Sequence, residues 1–175
     1  PLKKKGYDWW WHSLTARNEK TNEEKAFYIE YYITNPSISP NKVILGQSSE
    51  DAIPSYFMMN VGTWGKNKKQ IHQFYPFSDV IFTEGSLPLK VGPCFLSETR
   101  MYGTCVATKE EASNSAYMTD AGSMKWEIEI NKVLPFDAGY ATSKAIRSTN
   151  AFEMFWHAEG IKTGYKGYII FDDEK

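Results

Sequence analysis

Three consecutive tryptophans followed by a histidine, Trp9-Trp10-Trp11-His12, form the run of residues with the clearest capacity for chemistry. If this run is a β-strand, Trp9 and Trp11 face one side, and Trp10 and His12 face the other. Indole rings can wall a site for a flat apolar ligand, and the imidazole of His12 adds a titratable group beside it. A tryptophan-rich core with a hydrogen-bonded histidine is the alternative. Since three successive tryptophans cannot all be buried on one side of a sheet, at least one must line a second surface.

A second histidine lies in residues 155–160, FWHAEG. In a strand, His157 and Glu159 share one face and lie about 7 Å apart, at two strand rises. The carboxylate could then hold one tautomer of the imidazole for proton transfer. The two side chains could equally form a buried polar pair that closes a hairpin. Trp156, next to His157, is a further candidate for the wall of a ligand site.

Three carboxylates, Asp8, Glu30 and Glu98, interrupt otherwise apolar or aromatic segments. Burial raises the pKa of a carboxyl group and keeps a proton available near neutral pH. An acid of that kind could protonate an alkene or a carbonyl. The alternative for each is an outward carboxylate that pairs with a basic residue on the next strand, such as Arg100 or Lys25.

Other kinds of chemistry lack their motifs. The serines are in no G-x-S-x-G frame, and no GK[ST] follows the glycines at 62 and 65. The three histidines, at positions 12, 72 and 157, show no short His-x-His spacing. The sequence therefore predicts no metal and no cofactor. With only Cys94 and Cys105 present, we expect a pair of free, buried thiols rather than a disulfide framework.

In the segments that position these residues, the character of the side chains alternates with a period of two, as in β-strands. Residues 124–132 read MKWEIEINK, which places apolar side chains on one face and charged ones on the other, as in a half-buried antiparallel strand. In residues 25–34 both faces carry large rings, with Tyr28, Glu30 and Tyr32 on the face opposite the aliphatic one. Such a strand suits a barrel wall that faces a cavity.

Seven further segments, rich in aromatic and β-branched residues, are predicted as strands: 7–16, 56–64, 70–75, 79–83, 96–108, 153–159 and 162–171. A polar hairpin joins the first two predicted strands at 17–24, and Gly160 is predicted to turn the last two into a hairpin. A short helix is expected at 109–116 after Thr108, its candidate cap. Residues 35–54 form a long loop that we expect to cross one end of the sheet as a lid. The predicted fold is all-β, an antiparallel lipocalin-like barrel or strongly curved sandwich of about eight to ten strands.

Composition limits the possible classes. The chain has 175 residues, of which 42% are hydrophobic and 23% charged, enough apolar side chain for a folded core. One domain over 1–175 is expected. A formal net charge of -1 argues against a nucleic-acid partner, and no apolar run is long enough for a membrane span. No signal segment is visible, which favours the cytoplasm if Pro1 is near the native start.

Five segments resemble the tocopherol cyclase-like family, which is related to carotenoid 1,2-hydratases (hydroxyneurosporene synthases) and lipocalin-like pericyclases. They are 7–12 (YDWWWH), 21–36 (TNEEKAFYIEYYITNP), 95–100 (FLSETR), 120–126 (DAGSMKW) and 152–160 (FEMFWHAEG). The resemblance implies the first of two tandem lipocalin-like barrels, so this chain would be the N-terminal half of a longer protein. It also implies an apolar, polyprenyl-like ligand that is cyclised, hydrated or rearranged with the help of a placed acid. His12, Glu30, Glu98, His157 and Glu159 match as positions, with their roles open.

We therefore expect a barrel domain that encloses an apolar or aromatic small molecule, as a cyclase, isomerase or hydratase. The expected wall residues are Trp9, Trp11, Tyr28, Tyr32 and Trp156, with Glu30 or Glu98 as the proton donor. A non-catalytic carrier of a lipophilic ligand and a carbohydrate-binding sandwich with exposed tryptophans are the alternatives. A second barrel domain or a second copy of the chain is the expected protein partner.

Overall fold

The computed structural model describes residues 5–46, 53–82, 87–140, 142–149 and 154–173, apart from the side chains of residues 137, 138 and 159. These residues form ten strands: β1 (Tyr7–Arg17), β2 (Glu24–Thr34), β3 (Tyr56–Thr63), β4 (Gln70–Tyr75), β5 (Val80–Phe82), β6 (Leu89–Val91), β7 (Cys94–Leu96), β8 (Arg100–Ala107), β9 (Gly122–Tyr140) and β10 (Phe155–Phe171). Two short helices, α1 (Lys109–Ser113) and α2 (Lys144–Ser148), and two 3-10 turns, Phe77–Asp79 and Ser115–Tyr117, complete the described elements.

The strands form two antiparallel sheets. The N-terminal sheet has the order β1-β2-β3-β4, and the C-terminal sheet has the order β10-β9-β8-β7-β6-β5. Neither sheet closes on itself over the described residues, so the fold is a curved sandwich rather than a closed barrel. The predicted all-β antiparallel class is confirmed. Of the two predicted forms, a barrel and a strongly curved sandwich, the chain adopts the sandwich.

The alternation of side chains along the strands accounts for the core. In β2, and in β9 as far as Ile130, every second residue is buried between the sheets, as predicted: Phe27, Ile29, Tyr31, Ile33, Met124, Trp126, Ile128 and Ile130. The hydroxyl of Tyr31 donates a hydrogen bond of 2.8 Å to the carbonyl of Phe95, which ties the two sheets together. Cys94 and Cys105 are buried free thiols, as expected.

The centre of the sandwich is filled with side chains. Trp126, Tyr31 and Phe57 are the largest of the fully buried ones, and they occupy the space in which the sequence predicted a hollow for a ligand. A filled centre follows from the bulk of these rings, because protein interiors pack nearly as densely as organic crystals. Space for a ligand must therefore lie where the two sheets separate.

The predicted hairpin around Gly160 is wrong. β10 continues through this position and pairs with β9 on both sides of it. The register shifts between Ala158 and Lys162, so the intervening residues form a bulge. The Thr163 hydroxyl donates to the Gly160 carbonyl at 2.9 Å across this bulge. The glycine thus bends one long strand instead of ending it, and β9 continues past the predicted end at Lys132.

Two smaller predictions are also resolved. The predicted strand 96–108 is divided by a turn into β7 and β8, where Ser97 N–H donates to the Arg100 carbonyl at 2.8 Å. Thr108 does cap α1, and a reciprocal hydrogen bond from its backbone N–H to the Glu111 side chain completes a capping box.

Of the long loop, residues 35–46 and 53–54 are described, and Ile44 bridges to Ser55. The remainder of the predicted lid, and Glu153 and Thr83 at predicted strand ends, lie outside the described residues.

The two flanks of the sandwich differ. On one flank the segment after the second 3-10 turn covers the edge of β4, where Asp120 N–H donates to the Gln70 carbonyl at 2.7 Å. The Gln70 and His72 N–H groups donate to the side chains of Asp120 and Thr119. On the other flank, β1 and β10 are the edge strands of opposite sheets and are not paired with each other over the described residues.

The core packing predicts that Gly103 cannot be enlarged. An alanine there would place its Cβ 2.5 Å from Cζ2 of Trp126 and 2.7 Å from Sγ of Cys94. We expect Gly103→Ala to lower the free energy of unfolding by about 1–3 kcal/mol, because overpacking forces buried side chains to shift. In the matched control Gly164→Ala, the new Cβ meets its nearest atom, Asn131 Cβ, at 3.8 Å. Denaturant unfolding should show a change of at most about 0.5 kcal/mol for the control, and equal effects of the two changes would contradict this packing.

Candidate functional site

The gap between β1 and β10, referred to below as the seam, contains the main cavities. A groove of about 520 Å³ lies at one end, between Trp9–His12 of β1 and Trp156–Ala158 of β10. A second cavity of about 780 Å³ lies at the other end, beside the β1–β2 turn. Aromatic residues line both cavities, but six charged residues, among them Arg17, Glu24 and Lys66, line the second cavity, whereas Asp8 and Lys132 are the two in the groove. The groove is therefore the better site for an apolar ligand.

The groove brings together seven residues that the sequence singled out: Asp8, Trp9, Trp10, Trp11, His12, Trp156 and His157. The alternation in β1 is as predicted, since Trp10 packs against the core while Trp11 is exposed on the other side. Trp156 is 56% exposed. Tryptophans of two different sheets thus border one space.

His12 links the two sides of the seam. Its Nδ1 lies 3.3 Å from the hydroxyl of Tyr165 on β10. Burial, with a smaller contribution from the charge of Lys132, lowers the pKa of His12 to about 4. The imidazole is therefore neutral at pH 7. Because burial also raises the pKa of Tyr165, its phenol keeps its proton and can donate to Nδ1 when the imidazole proton is on Nε2.

Glu98 lies away from the groove cavity, in the exposed turn between β7 and β8, where its carboxylate forms an ion pair with Lys132. This is the outward, paired arrangement that the sequence left open as the alternative to a buried acid. Lys132 itself lines the groove. Asp8, the third carboxylate, also lines the groove, and burial raises its pKa.

Tyr28, Glu30 and Tyr32 lie outside the groove. They are on the outer face, defined here as the side of the N-terminal sheet that points away from the C-terminal sheet. The register places Trp11, Glu30, Asn60 and His72 in one row across its four strands. Asn60 Nδ2 donates to Glu30 Oε2 at 2.7 Å, and burial raises the pKa of Glu30.

The predicted pairing of His157 with Glu159 remains a prediction. His157 is opposite Asp137 in the β9–β10 register. Glu159 is in the bulge, and its side chain lies outside the described part of the structure. The bulge also changes the simple alternation from which their shared face was predicted.

Two residues of these sites were missed by sequence reasoning. Tyr165 lines both cavities of the seam and is the hydrogen-bond partner of His12. Tyr165 is an even number of residues from Ile169 and Phe171, which are both buried. In a strand, this spacing places its side chain on the same, inner face, and it is the signal that could have identified Tyr165. Asn60 is a polar residue in an apolar strand, the same signal that identified Glu30, but only the register reveals that the two are neighbours.

No protein-family model matches this chain, and no characterised protein and no solved structure matches it either. The geometry alone therefore carries the functional argument. Among the described residues, no three His, Cys, Asp or Glu side chains are grouped so that they could hold a metal ion. Within the same ranges, no helix has the length and apolar character needed to cross a membrane.

The burial of His12 predicts an acid-sensitive contribution to stability. Because its pKa is about 4 in the folded chain and 6.5 without the fold, the unfolded state binds the proton more readily between these values. The free energy of unfolding should fall as the pH is lowered from 6.5 to 4, by up to roughly 3 kcal/mol. For His12→Gln, the free energy of unfolding measured over the same pH range should not show this decrease. An NMR titration of the His12 imidazole with a midpoint near 6.5 would contradict the assignment.

Proposed function

We propose that this chain binds an apolar or aromatic small molecule in the groove at the seam. The observation that carries the proposal is that indole rings from β1 and β10, which belong to different sheets, line one space of about 520 Å³. Ligand sites in proteins commonly have volumes of about 300–1,000 Å³. The groove therefore has the size and the lining for a molecule with one or more rings.

The polar groups of the groove favour a neutral ligand. His12 is uncharged at pH 7 because its pKa is about 4, and Lys132 is paired with Glu98. A neutral imidazole with its phenol partner can exchange one hydrogen bond with a hydroxyl or carbonyl of the ligand. That single contact would orient the ligand, while contact with the rings supplies most of the affinity.

The resemblance to the tocopherol cyclase-like family supports a ligand site in the groove. Two of the five segments that carry it, 7–12 and 152–160, include the residues of β1 and β10 that line the groove. The proposal therefore includes membership of that family and the apolar class of ligand that it implies.

Any acid-assisted step on the bound ligand is assigned to Asp8. Of the three carboxylates that the sequence singled out, Asp8 is the one that lines the groove. Burial raises its pKa, which favours the protonated form that a cyclase, isomerase or hydratase needs as its donor. Glu98, in contrast, lies outside the groove and forms an ion pair with Lys132.

The binding site can be tested with Nile red, a neutral dye whose fluorescence increases in apolar surroundings. We expect saturable binding, and an increase in Kd of about tenfold for Trp156→Ala, which removes a large apolar contact. Ile81→Ala is the control, since Ile81 is 63% exposed and lines neither cavity of the seam. Equal losses in the two variants would show that the dye binds exposed apolar side chains in general and would refute the site.

The role of Asp8 is tested with the terpenoid substrates that the wild-type chain converts. Asp8→Asn should abolish conversion and leave Nile red affinity unchanged, because it removes the transferable proton but keeps the shape of the side chain. Glu98→Gln should keep both properties. Full conversion by Asp8→Asn would exclude it as the donor, and absence of conversion by the wild type would leave a carrier function for the groove.

A further inference from the structure

The centre of the outer face holds a carboxylate that has no ion-pair partner among the described residues. Glu30 is half-buried, and the four ion pairs of the described residues all lie elsewhere. Its hydrogen bond from Asn60 Nδ2 leaves further lone pairs of the carboxylate unused. A half-buried carboxylate with one neutral hydrogen-bond donor and no cation beside it has recovered only part of its lost hydration, so this position favours a ligand that supplies further donors.

A second acceptor lies beside it. The Oδ1 atom of Asn60 is buried and has no hydrogen-bond partner among the described residues. Since the Nδ2 group of the same amide donates to Glu30, the orientation of the amide is fixed by that contact. Because Oδ1 is enclosed, a ligand on this face reaches the Glu30 carboxylate, which the Asn60 amide holds in position.

The donors of neighbouring side chains are already in use. The indole N–H of Trp11 donates to the Ser13 hydroxyl at 2.7 Å. The Gln70 amide lies 2.8 Å from Nε2 of His72, whose Nδ1 is 3.0 Å from the Tyr117 carbonyl. Neither the indole nor the histidine in the row of Glu30 can donate to its carboxylate without breaking an existing hydrogen bond.

Aromatic rings surround these acceptors. Trp11 is directly opposite Glu30 on β1, and Tyr28 and Tyr32 flank it on β2 on the same face. The ring of Trp11 stacks on that of Tyr28, with centroids 5.1 Å apart and planes 5° apart. Rings arranged around an anionic oxygen attract organic cations, both through their electron-rich faces and through contact with apolar substituents.

We propose that the outer face binds a protonated amine, which places its N–H groups on the Glu30 carboxylate and its apolar substituent against Trp11. A neutral apolar ligand would use the rings but would leave the carboxylate desolvated. A metal ion would need more ligands, and no group of three His, Cys, Asp or Glu is available among the described residues. This site shares Trp11 with the groove, but Glu30 and Asn60 do not line the groove, and the proposal does not depend on the ligand proposed there.

The test compares three probes of similar shape by isothermal titration calorimetry on the whole chain. Benzylamine is a protonated amine at pH 7, benzyl alcohol is its neutral counterpart, and benzyltrimethylammonium has the charge without the N–H donors. We expect benzylamine to bind at least about tenfold more tightly than either of the others, because it alone makes charge-assisted hydrogen bonds. Equal or tighter binding of either of the others would overturn the proposal, as would undetectable binding of benzylamine.

Glu30→Gln is the matching variant. It should remove the preference for benzylamine while leaving Nile red affinity at the seam unchanged. Glu129→Gln provides the control, since it removes the same charge from an exposed position on the C-terminal sheet and should bind benzylamine like the wild type. Retention of the preference in Glu30→Gln, or its loss in Glu129→Gln, would overturn the assignment. The comparison of probes on the wild-type chain tests the proposal even if a variant folds poorly.

Discussion

The arrangement of the sites depends on the unpaired edges of β1 and β10. Backbone N–H and C=O groups at a sheet edge need partners, and on the β4 flank Thr119 and Asp120 supply them. Along the seam the two edge strands approach each other without pairing over the described residues. Side chains, chiefly His12 and Tyr165, make the connection there instead. Side chains cannot close a flank as evenly as a backbone ladder can, and the cavities at the two ends of the seam are the result.

The same constraint explains why the tryptophans of β1 contribute to more than one surface. An edge strand has a free side in addition to its two faces, so Trp9, Trp10 and Trp11 all reach the groove although their faces alternate. In a central strand such as β2, the faces are separated by the whole sheet. Tyr31 is therefore buried in the core, and Glu30 lies on the outer face. The candidate residues thus fall into two groups according to the position of their strand in the sheet.

Sequence reasoning predicted local alternation well and long-range geometry less well. The inner face of β2 and of β9 and the cap at Thr108 followed from spacing alone. The continuation of β10 through Gly160 did not, because a glycine between two apolar strands fits a bulge as well as a turn. The filled centre was missed for a similar reason. Rings on both faces of β2 indicate two apolar surfaces, but whether a surface meets a cavity or another sheet depends on Trp126 and Phe57, which are distant in the chain.

The two proposed sites differ in the charge that they select, and the reason is the same in both. Loss of water disfavours the charged form of a side chain. For His12 this produces a neutral imidazole at pH 7, because its pKa is lowered to about 4, so the seam favours a neutral ligand. For Glu30 the same effect raises the pKa, while the hydrogen bond from Asn60 stabilises the carboxylate. A cation that restores the lost interactions stabilises the charged form further, so the ligand and the ionised carboxylate favour each other. Burial of a base and burial of an acid on neighbouring strands thus give one sheet two surfaces with opposite preferences.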